Sequence, residues 1–235
     1  MDALARLAAE PAFAALFLDV DGVLAPIVDR SEDAHVPEPT RNELRRLVST
    51  YGLVACVTGR ATDTARAIVG VSGLEYVGEH GLELDPRAQE WATRIREFAQ
   101  EIGWPDLELK PLSAAFHYRR AHDRDFARAE LEAVEREARV HGFRTRFGRL
   151  VLEVLPPVDA SKGTGVRALL ARSGLQRALY AGDDTTDLDG FAALDGLELA
   201  VRVAVVSTEG PSALAEDADV IVASTEELYE LLTRL

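Results

Sequence analysis

Apolar residues along this chain fall into short continuous runs separated by stretches with helical spacing. The first part predicts three strands, "AALFLDV", "LVACVT" and "LEYVG", with helices over Thr40–Tyr51 and Thr62–Val69 between them. Continuously apolar runs, as opposed to alternating ones, are typical of strands buried on both faces of a parallel sheet. The pattern therefore predicts an α/β unit with helices on both sides of a parallel sheet.

The same pattern returns near the C-terminus. It predicts a helix over "SKGTGVRALLARSG", a strand over "RALYAGDD", a short helix after Thr186, strands over "LELAVRVAV" and "DADVIVAS", and a last helix. Because strands and helices alternate again, we expect both ends of the chain to build one doubly wound, Rossmann-like core.

The middle of the chain has a different order of elements, over residues 85–156. Its segments are "RAQEWATRIREFAQEI", "LELK", "AAFHYR", "RDFARAELEAVEREARV", "FRTRF" and "RLVLEVL", which predict helix, two strands, helix and two strands. This order predicts an antiparallel sheet with two covering helices, inserted as an α+β cap domain between core segments 1–84 and 157–235. The cap contains 13 basic and 13 acidic residues. The core therefore carries the whole net charge of −14.

That negative charge opposes binding to nucleic acid or to an anionic membrane surface. The N-terminus lacks the basic start and apolar run of a signal peptide, and no later run approaches the roughly 18 apolar residues of a membrane span. The single cysteine, Cys56, lies in an apolar run and allows no disulfide within the chain. We expect a cytoplasmic monomer with a small-molecule substrate.

Polar motifs follow three of the predicted strands: "DVDG", "TGR" and "GDDTTD". The carboxyl ends of parallel strands open onto one crevice, so the sequence predicts that five carboxylates converge there: Asp19, Asp21, Asp183, Asp184 and Asp187. Carboxylates so placed repel one another unless positive charge is present, and oxygen ligands with room for water and phosphate favour Mg²⁺. The alternative is a set of helix caps and turns, which Thr186 or Asp187 would fit.

Lys162 opens a predicted helix, where the helix dipole disfavours a cation. A phosphate or a carboxylate facing the lysine would explain its position; solvent exposure is the alternative.

In that order, "DVDG", "TGR", "SKG" and "GDDTTD" resemble the four motifs of the haloacid dehalogenase (HAD) superfamily of phosphatases. The resemblance implies that Asp19 is the nucleophile and that Asp21 protonates the leaving sugar oxygen and then activates water. Neighbouring carboxylates would help Asp21 keep its proton. It implies further that Thr58 and Lys162 hold the phosphate beside Gly59 and Arg60. Mg²⁺ would bind Asp19, the Asp21 carbonyl and Asp183, with Asp184 and Asp187 in support.

Segments in and near the cap resemble the trehalose-6-phosphate phosphatase family: "GEHGLEL", "LELKPLSAAFHYR" and "GRLVLEVLP". The resemblance implies hydrolysis of trehalose 6-phosphate through an aspartyl phosphate, with Glu108, Lys110 and Glu153 binding the sugar. On strands with period two, Glu108 shares a face with Lys110, and Glu153 shares a face with Arg149, which we include in the predicted sugar site.

Two positions depart from the family pattern. Leu155 stands where the family usually has Lys or Arg, and Leu188 stands where it usually has an acidic residue. These departures leave another sugar phosphate as an alternative substrate. A sugar phosphomutase and a non-catalytic sugar-phosphate sensor are two more candidate functions, and the intact motif residues disfavour the sensor.

Overall fold

The computed structural model describes residues 3–28, 30–207 and 210–235. The described chain divides into two compact units. Unit 1 holds the described residues up to Gly81 together with Ala160–Leu235, and unit 2 is Leu82–Asp159. These bounds lie three residues from the ones that the sequence suggests for core and cap.

The strands, in chain order, are β1 (Ala15–Leu18), β2 (Leu53–Val57), β3 (Glu75–Val77), β4 (Leu107–Leu109), β5 (Ala114–His117), β6 (Arg144–Gly148), β7 (Val151–Leu155), β8 (Arg177–Gly182), β9 (Leu199–Val205) and β10 (Val220–Val222). The α-helices are α1 (Ala3–Ala9), α2 (Glu38–Thr50), α3 (Thr62–Val69), α4 (Ala92–Ile102), α5 (Arg124–Val140), α6 (Lys162–Ser173), α7 (Asp187–Ala192), α8 (Ser212–Glu216) and α9 (Thr225–Leu232).

Unit 1 is built on a parallel sheet with strand order β10-β9-β8-β1-β2-β3. Successive residues of β1 enter different apolar clusters: Leu16 and Leu18 pack on one side of the sheet, and Ala15 and Phe17 on the other. Burial on both faces explains why the strands are continuously apolar in sequence. The predicted α/β class with a parallel sheet is confirmed. Because β1 and β8 are neighbours, the motifs that follow them lie side by side at the carboxyl edge.

Unit 2 contains an antiparallel sheet, as predicted, and its strand order is β4-β5-β7-β6. Phe116 and Leu152 are paired on one face and belong to an apolar cluster that includes residues of α4 and α5. The opposite face carries a row of directly paired residues, Glu108, Ala115, Glu153 and Arg146. Unit 2 therefore has one apolar face covered by helices and one face with charged residues.

Several local predictions differ from the structure. The helix predicted from residue 87 begins as a 3₁₀ helix, Pro86–Trp91, and becomes α-helical only at Ala92. The short helices α1 and α8 are missing from the sequence prediction; α1 is held by tertiary packing, since Leu7 is completely buried against the core. No helix in the described part of the chain is long and apolar enough to cross a membrane.

Candidate active site

Three buried aspartates meet at the carboxyl edge of the unit 1 sheet. Asp19 directly follows β1, Asp183 directly follows β8, and Asp187 begins α7. Each offers a carboxylate oxygen within 4.8 Å of the others. Parallel strand pairing places the first two, because the Asp19 N–H continues the β1–β8 ladder by donating to the Ala181 carbonyl at 3.0 Å. The predicted convergence is therefore observed for these three aspartates.

Lys162 lies between two of these carboxylates. Its Nζ is 2.7 Å from Asp19 Oδ2 and 2.7 Å from Asp187 Oδ1, and its side chain is only 2% exposed. The helix start is fixed by Ser161, whose side chain caps α6 together with Thr164. The position of a lysine in the first turn of a helix is thus explained by two carboxylate partners.

Burial and charge act in opposite directions on this group of residues. Burial raises the pKa of Asp19 to about 7, although the nearby Lys162 ammonium acts to lower it. Burial acts to lower the pKa of Lys162, but Asp187 and Asp19 outweigh it and raise that pKa above its ordinary value. Lys162 therefore remains an ammonium, and Asp19 is a carboxyl group whose ionised form needs further positive charge.

Asp187 accepts four hydrogen bonds. Its Oδ1 accepts from Lys162 and from the Tyr180 hydroxyl, both at 2.7 Å, while its Oδ2 accepts from the backbone N–H groups of Asp183 (3.0 Å) and Asp184 (2.9 Å). Two donors at each carboxylate oxygen occupy both of its lone pairs. Asp187 therefore organises the loop and Lys162 and does not offer a spare oxygen to a metal ion.

Tyr180 is a site residue that the sequence reasoning missed. It is fully buried, and burial together with Asp187 raises its pKa well above the ordinary value, so its hydroxyl is a neutral donor. The signal was present: "RALYAGDD" is otherwise apolar, and a buried tyrosine hydroxyl usually has a hydrogen-bond partner.

Two glycines allow the carboxylates to pack this closely. Gly22 has a φ of +76°, and a Cβ there would lie 2.1 Å from Asp183 Oδ2. A Cβ at Gly182 would lie 2.3 Å from the Cβ of Asp187. Only residues without side chains fit at these two positions.

Asp21 is not part of the buried group. Arg60 holds it with two hydrogen bonds, Nε to Oδ2 and Nη2 to Oδ1, both 2.7 Å. The sequence suggests carboxylate neighbours for Asp21, and its charge does act on nearby Asp19. Its hydrogen-bonded partner, however, is a guanidinium from the "TGR" loop. Thr58 of that loop is buried, and its Oγ1 accepts from the Arg60 N–H at 3.2 Å.

Asp184 also lies outside the group of three; its Oδ1 accepts from the Thr185 N–H at 2.7 Å. The remaining group fits a hard divalent cation, for which Asp19 and Asp183 supply buried carboxylate oxygens and Asp187 supplies negative charge. With its three carboxylates ionised, the single ammonium of Lys162 leaves two negative charges uncompensated. A dication would balance them.

In unit 2, Glu153 lies between two cations. Lys110 Nζ is 3.3 Å from its Oε1, while Arg146 donates to its Oε2 through Nε, at 3.0 Å, and through Nη2. Glu108 contacts a different partner, since its Oε2 lies 2.9 Å from His117 Nε2. Glu108 and Glu153 therefore share the charged face of one sheet, and Lys110, the residue after β4, contacts Glu153.

The structure corrects the predicted position of Arg149. The expected alternation would place it on the Glu153 face, but β7 begins only at Val151, and Arg149 and Leu150 form the turn that follows β6. Leu150 has a φ of +56°, so the chain reverses there and period two does not apply. Arg146 was missed, although the alternation in "RTRF" marks Arg144 and Arg146 as residues of one face.

A cavity of about 580 Å³ is also present in unit 2. Trp104, His117, Phe126 and Glu130 are among its lining residues, which include none of the predicted site residues. One of its lining residues, His117, contacts Glu108 of that set.

Comparison with known proteins gives a consistent family. A sequence model described as "Trehalose-phosphatase" matches residues 17–225. A "Probable trehalose-phosphate phosphatase 2" from Oryza sativa is 26% identical, over 94% of this chain and 67% of that protein. A "Trehalose-phosphate phosphatase" from Mycobacterium marinum is 32% identical, over 86% of this chain and 60% of that protein. The chain thus spans about two thirds or less of the length of these relatives.

Among solved structures, the C-terminal domain of Candida albicans trehalose-6-phosphate phosphatase is similar, with a TM-score of 0.79 and 19% identity. The match covers 98% of this chain and 93% of that one. At this identity the likeness concerns the fold. A haloacid dehalogenase-like hydrolase from Bacteroides thetaiotaomicron is also among the structural neighbours, with a TM-score of 0.62 and 17% identity.

Proposed function

This chain belongs to the trehalose-phosphatase family, and on that premise we propose that it hydrolyses trehalose 6-phosphate to trehalose and inorganic phosphate. The observation that carries the proposal is Lys162, whose ammonium lies 2.7 Å from the buried carboxylates of both Asp19 and Asp187. A carboxylate fixed beside a cation is well placed to attack phosphorus, while the cation attracts the phosphoryl oxygens.

In the proposed reaction, an Asp19 carboxylate oxygen forms a bond to phosphorus as the bond from phosphorus to the sugar oxygen breaks. Asp21 gives a proton to that sugar oxygen. Water then attacks the phosphorus of the aspartyl phosphate, Asp21 takes a proton from the water, and Asp19 is regenerated as phosphate leaves. Thr58, Gly59 and Lys162 bind the phosphoryl oxygens.

Arg60 gives this scheme a requirement. Both carboxylate oxygens of Asp21 accept hydrogen bonds from Arg60, so this pair has to open before Asp21 can contact the leaving sugar oxygen. We infer that the substrate phosphate competes for Arg60, which then contacts the phosphate.

The metal in this proposal is Mg²⁺. Asp19 and Asp183 would hold it through their side chains and Asp21 through its main-chain carbonyl, with Asp184 and Asp187 supporting the loop. When bound, Mg²⁺ neutralises charge on the phosphoryl oxygens. The fit rests on the uncompensated charge of the three buried aspartates.

Sugar recognition is assigned to unit 2. Glu108, Lys110 and Glu153 offer charge-assisted hydrogen bonds to hydroxyl groups, and Arg149 lies on the adjoining turn. Another sugar phosphate is the second candidate. It is favoured by Leu155, which pairs with Arg144 at the end of β7 and offers no polar group to a sugar.

Phosphate release over a panel of sugar phosphates, including trehalose 6-phosphate, tests the proposal. We expect turnover that needs Mg²⁺, stops with a chelator and is absent in Asp19→Asn. Asp195→Asn, which changes an exposed aspartate of unit 1, is the matched control and should retain full activity. Turnover by Asp19→Asn would exclude the aspartyl phosphate. Isomerised sugar phosphate without free phosphate would indicate a phosphomutase.

A further inference from the structure

Arg146 has a defined position relative to Glu153. The two residues are directly paired across β6 and β7, so their side chains lie on the same face of the unit 2 sheet. Arg146 donates to Oε2 through two nitrogen atoms, and Lys110 approaches Oε1. Each carboxylate oxygen of Glu153 therefore has its own cation.

Two cations that contact different oxygens restrict the rotation of the Glu153 carboxylate more strongly than a single cation would. With Lys110 alone, the group can rotate about its terminal torsion while one oxygen keeps its partner. A guanidinium that donates two N–H groups to the second oxygen fixes the plane of the carboxylate. The Glu153 side chain is only 8% exposed, so water competes little for these contacts.

We propose that Arg146 is a positioning residue for sugar recognition: it fixes Glu153 in the orientation in which Oε1, the oxygen that Lys110 approaches, accepts a hydrogen bond from a hydroxyl group of a polyol phosphate ester. This inference rests on the proposed function, because it requires a sugar that contacts Glu153. In this proposal Arg146 acts only through Glu153, so we expect its effect to appear with a sugar substrate and not with a phosphate ester that has no sugar.

Kinetics on two substrates test the role. We expect Arg146→Ala to lower kcat/KM for trehalose 6-phosphate about tenfold, while hydrolysis of p-nitrophenyl phosphate, which has no sugar, changes less than about twofold. Arg146→Lys should recover part of the loss, since lysine restores the charge but not the two-nitrogen contact. Arg139→Ala removes an ion pair with Glu135 on α5 and is the matched control, expected to leave both substrates unaffected.

A double-mutant cycle shows whether Arg146 acts through Glu153. In a Glu153→Ala background, Arg146→Ala should cause no further loss on the sugar substrate. The inference is overturned if the loss is equally large in that background, or if both substrates lose activity together. If no sugar phosphate is hydrolysed by the wild type, the proposed function itself fails. If another sugar phosphate is the substrate, the same cycle is measured with it.

Discussion

The two compact units each contain one of the chain's two lysines in a cluster of charges, and the two clusters have opposite composition. In unit 1, Lys162 lies between two carboxylates, Asp19 and Asp187, and all three side chains are at most 7% exposed. In unit 2, one carboxylate, Glu153, lies between Lys110 and Arg146, with side-chain exposures from 8% to 26%.

This difference assigns different tasks to the two clusters. The unit 1 cluster keeps negative charge in a buried place, which suits a divalent cation and a covalent nucleophile. The unit 2 cluster has an excess of donors and keeps some contact with water, which suits the recognition of hydroxyl groups. Disrupting the unit 1 cluster should therefore lower stability and the hydrolysis of all phosphate esters. Disrupting the unit 2 cluster should lower only the hydrolysis of sugar phosphates.

The strongest test exchanges each lysine for methionine. Lys162→Met leaves two buried carboxylates without their cation, and we expect a loss of about 3–5 kcal/mol in the free energy of unfolding. Turnover of both trehalose 6-phosphate and p-nitrophenyl phosphate should be lost. Urea unfolding at neutral pH and phosphate release measure the two effects.

Lys110→Met is the matched control for that experiment. Glu153 keeps Arg146 as a partner, so stability should change little and p-nitrophenyl phosphate should remain a substrate, while sugar turnover falls. Equal behaviour of the two variants would contradict the division of tasks between the clusters.

A second, smaller effect is the pH dependence of the free energy of unfolding in the presence of a chelator. Burial raises the pKa of Asp19 to about 7 in the folded chain, against an ordinary value near 3.8. A carboxyl with a raised pKa favours the folded state below its unfolded pKa and loses that contribution as the pH rises through the folded value. We therefore expect the wild type to lose up to about 4 kcal/mol relative to Asp19→Asn between pH 4 and 8.

Urea unfolding with EDTA across that pH range measures this loss, and added Mg²⁺ should restore the wild type at pH 8. Parallel pH curves for wild type and Asp19→Asn would show that ionised Asp19 is not destabilised in the unit 1 cluster. The comparison between the clusters would then lose its basis.

The smallest effect concerns Tyr180. Tyr180→Phe removes one donor to Asp187, and we expect a loss of about 1.5–3 kcal/mol in stability, as for a hydrogen bond to a charged group. Because Asp187 also holds Lys162, kcat for both substrates should fall several-fold. Differential scanning calorimetry and steady-state kinetics provide the readouts.

Tyr51→Phe is its control. The Tyr51 hydroxyl is also buried in unit 1 but donates to the carbonyl of Leu235, which is not a predicted site residue, at 3.1 Å. That variant should lose some stability without any change in kcat. A normal kcat in Tyr180→Phe would restrict Tyr180 to a role in folding.

Much of the fold is predictable from local pattern. Helix α5 spans Arg124–Val140, the predicted segment, because its apolar residues recur with helical spacing and Asp123 caps its first turn. Strand and helix boundaries elsewhere shift by a few residues, since the ends of elements depend on packing as well as on propensity. Arg149 shows the limit: one left-handed residue, Leu150, moves it from a strand into a turn.

The candidate site was predictable at the level of motifs. Asp19 and Asp183 end neighbouring parallel strands, and that placement follows from topology. Lys162 at a helix start indicated that a negative partner was needed. The sequence did not show that Lys162 has two such partners, Asp19 and Asp187. Nor did it show that Arg60 binds Asp21.

The amino-acid sequence by itself determined the types of residue, the alternation of strands and helices, and the order in which the four motifs occur. Only the tertiary structure decided which donor meets which acceptor: Lys162 with Asp19 across 143 residues, Tyr180 and two backbone N–H groups with Asp187, and Arg146 with Glu153. The physical reason is that periodicity reports burial along one element, whereas hydrogen bonds and ion pairs form between elements that the fold brings together.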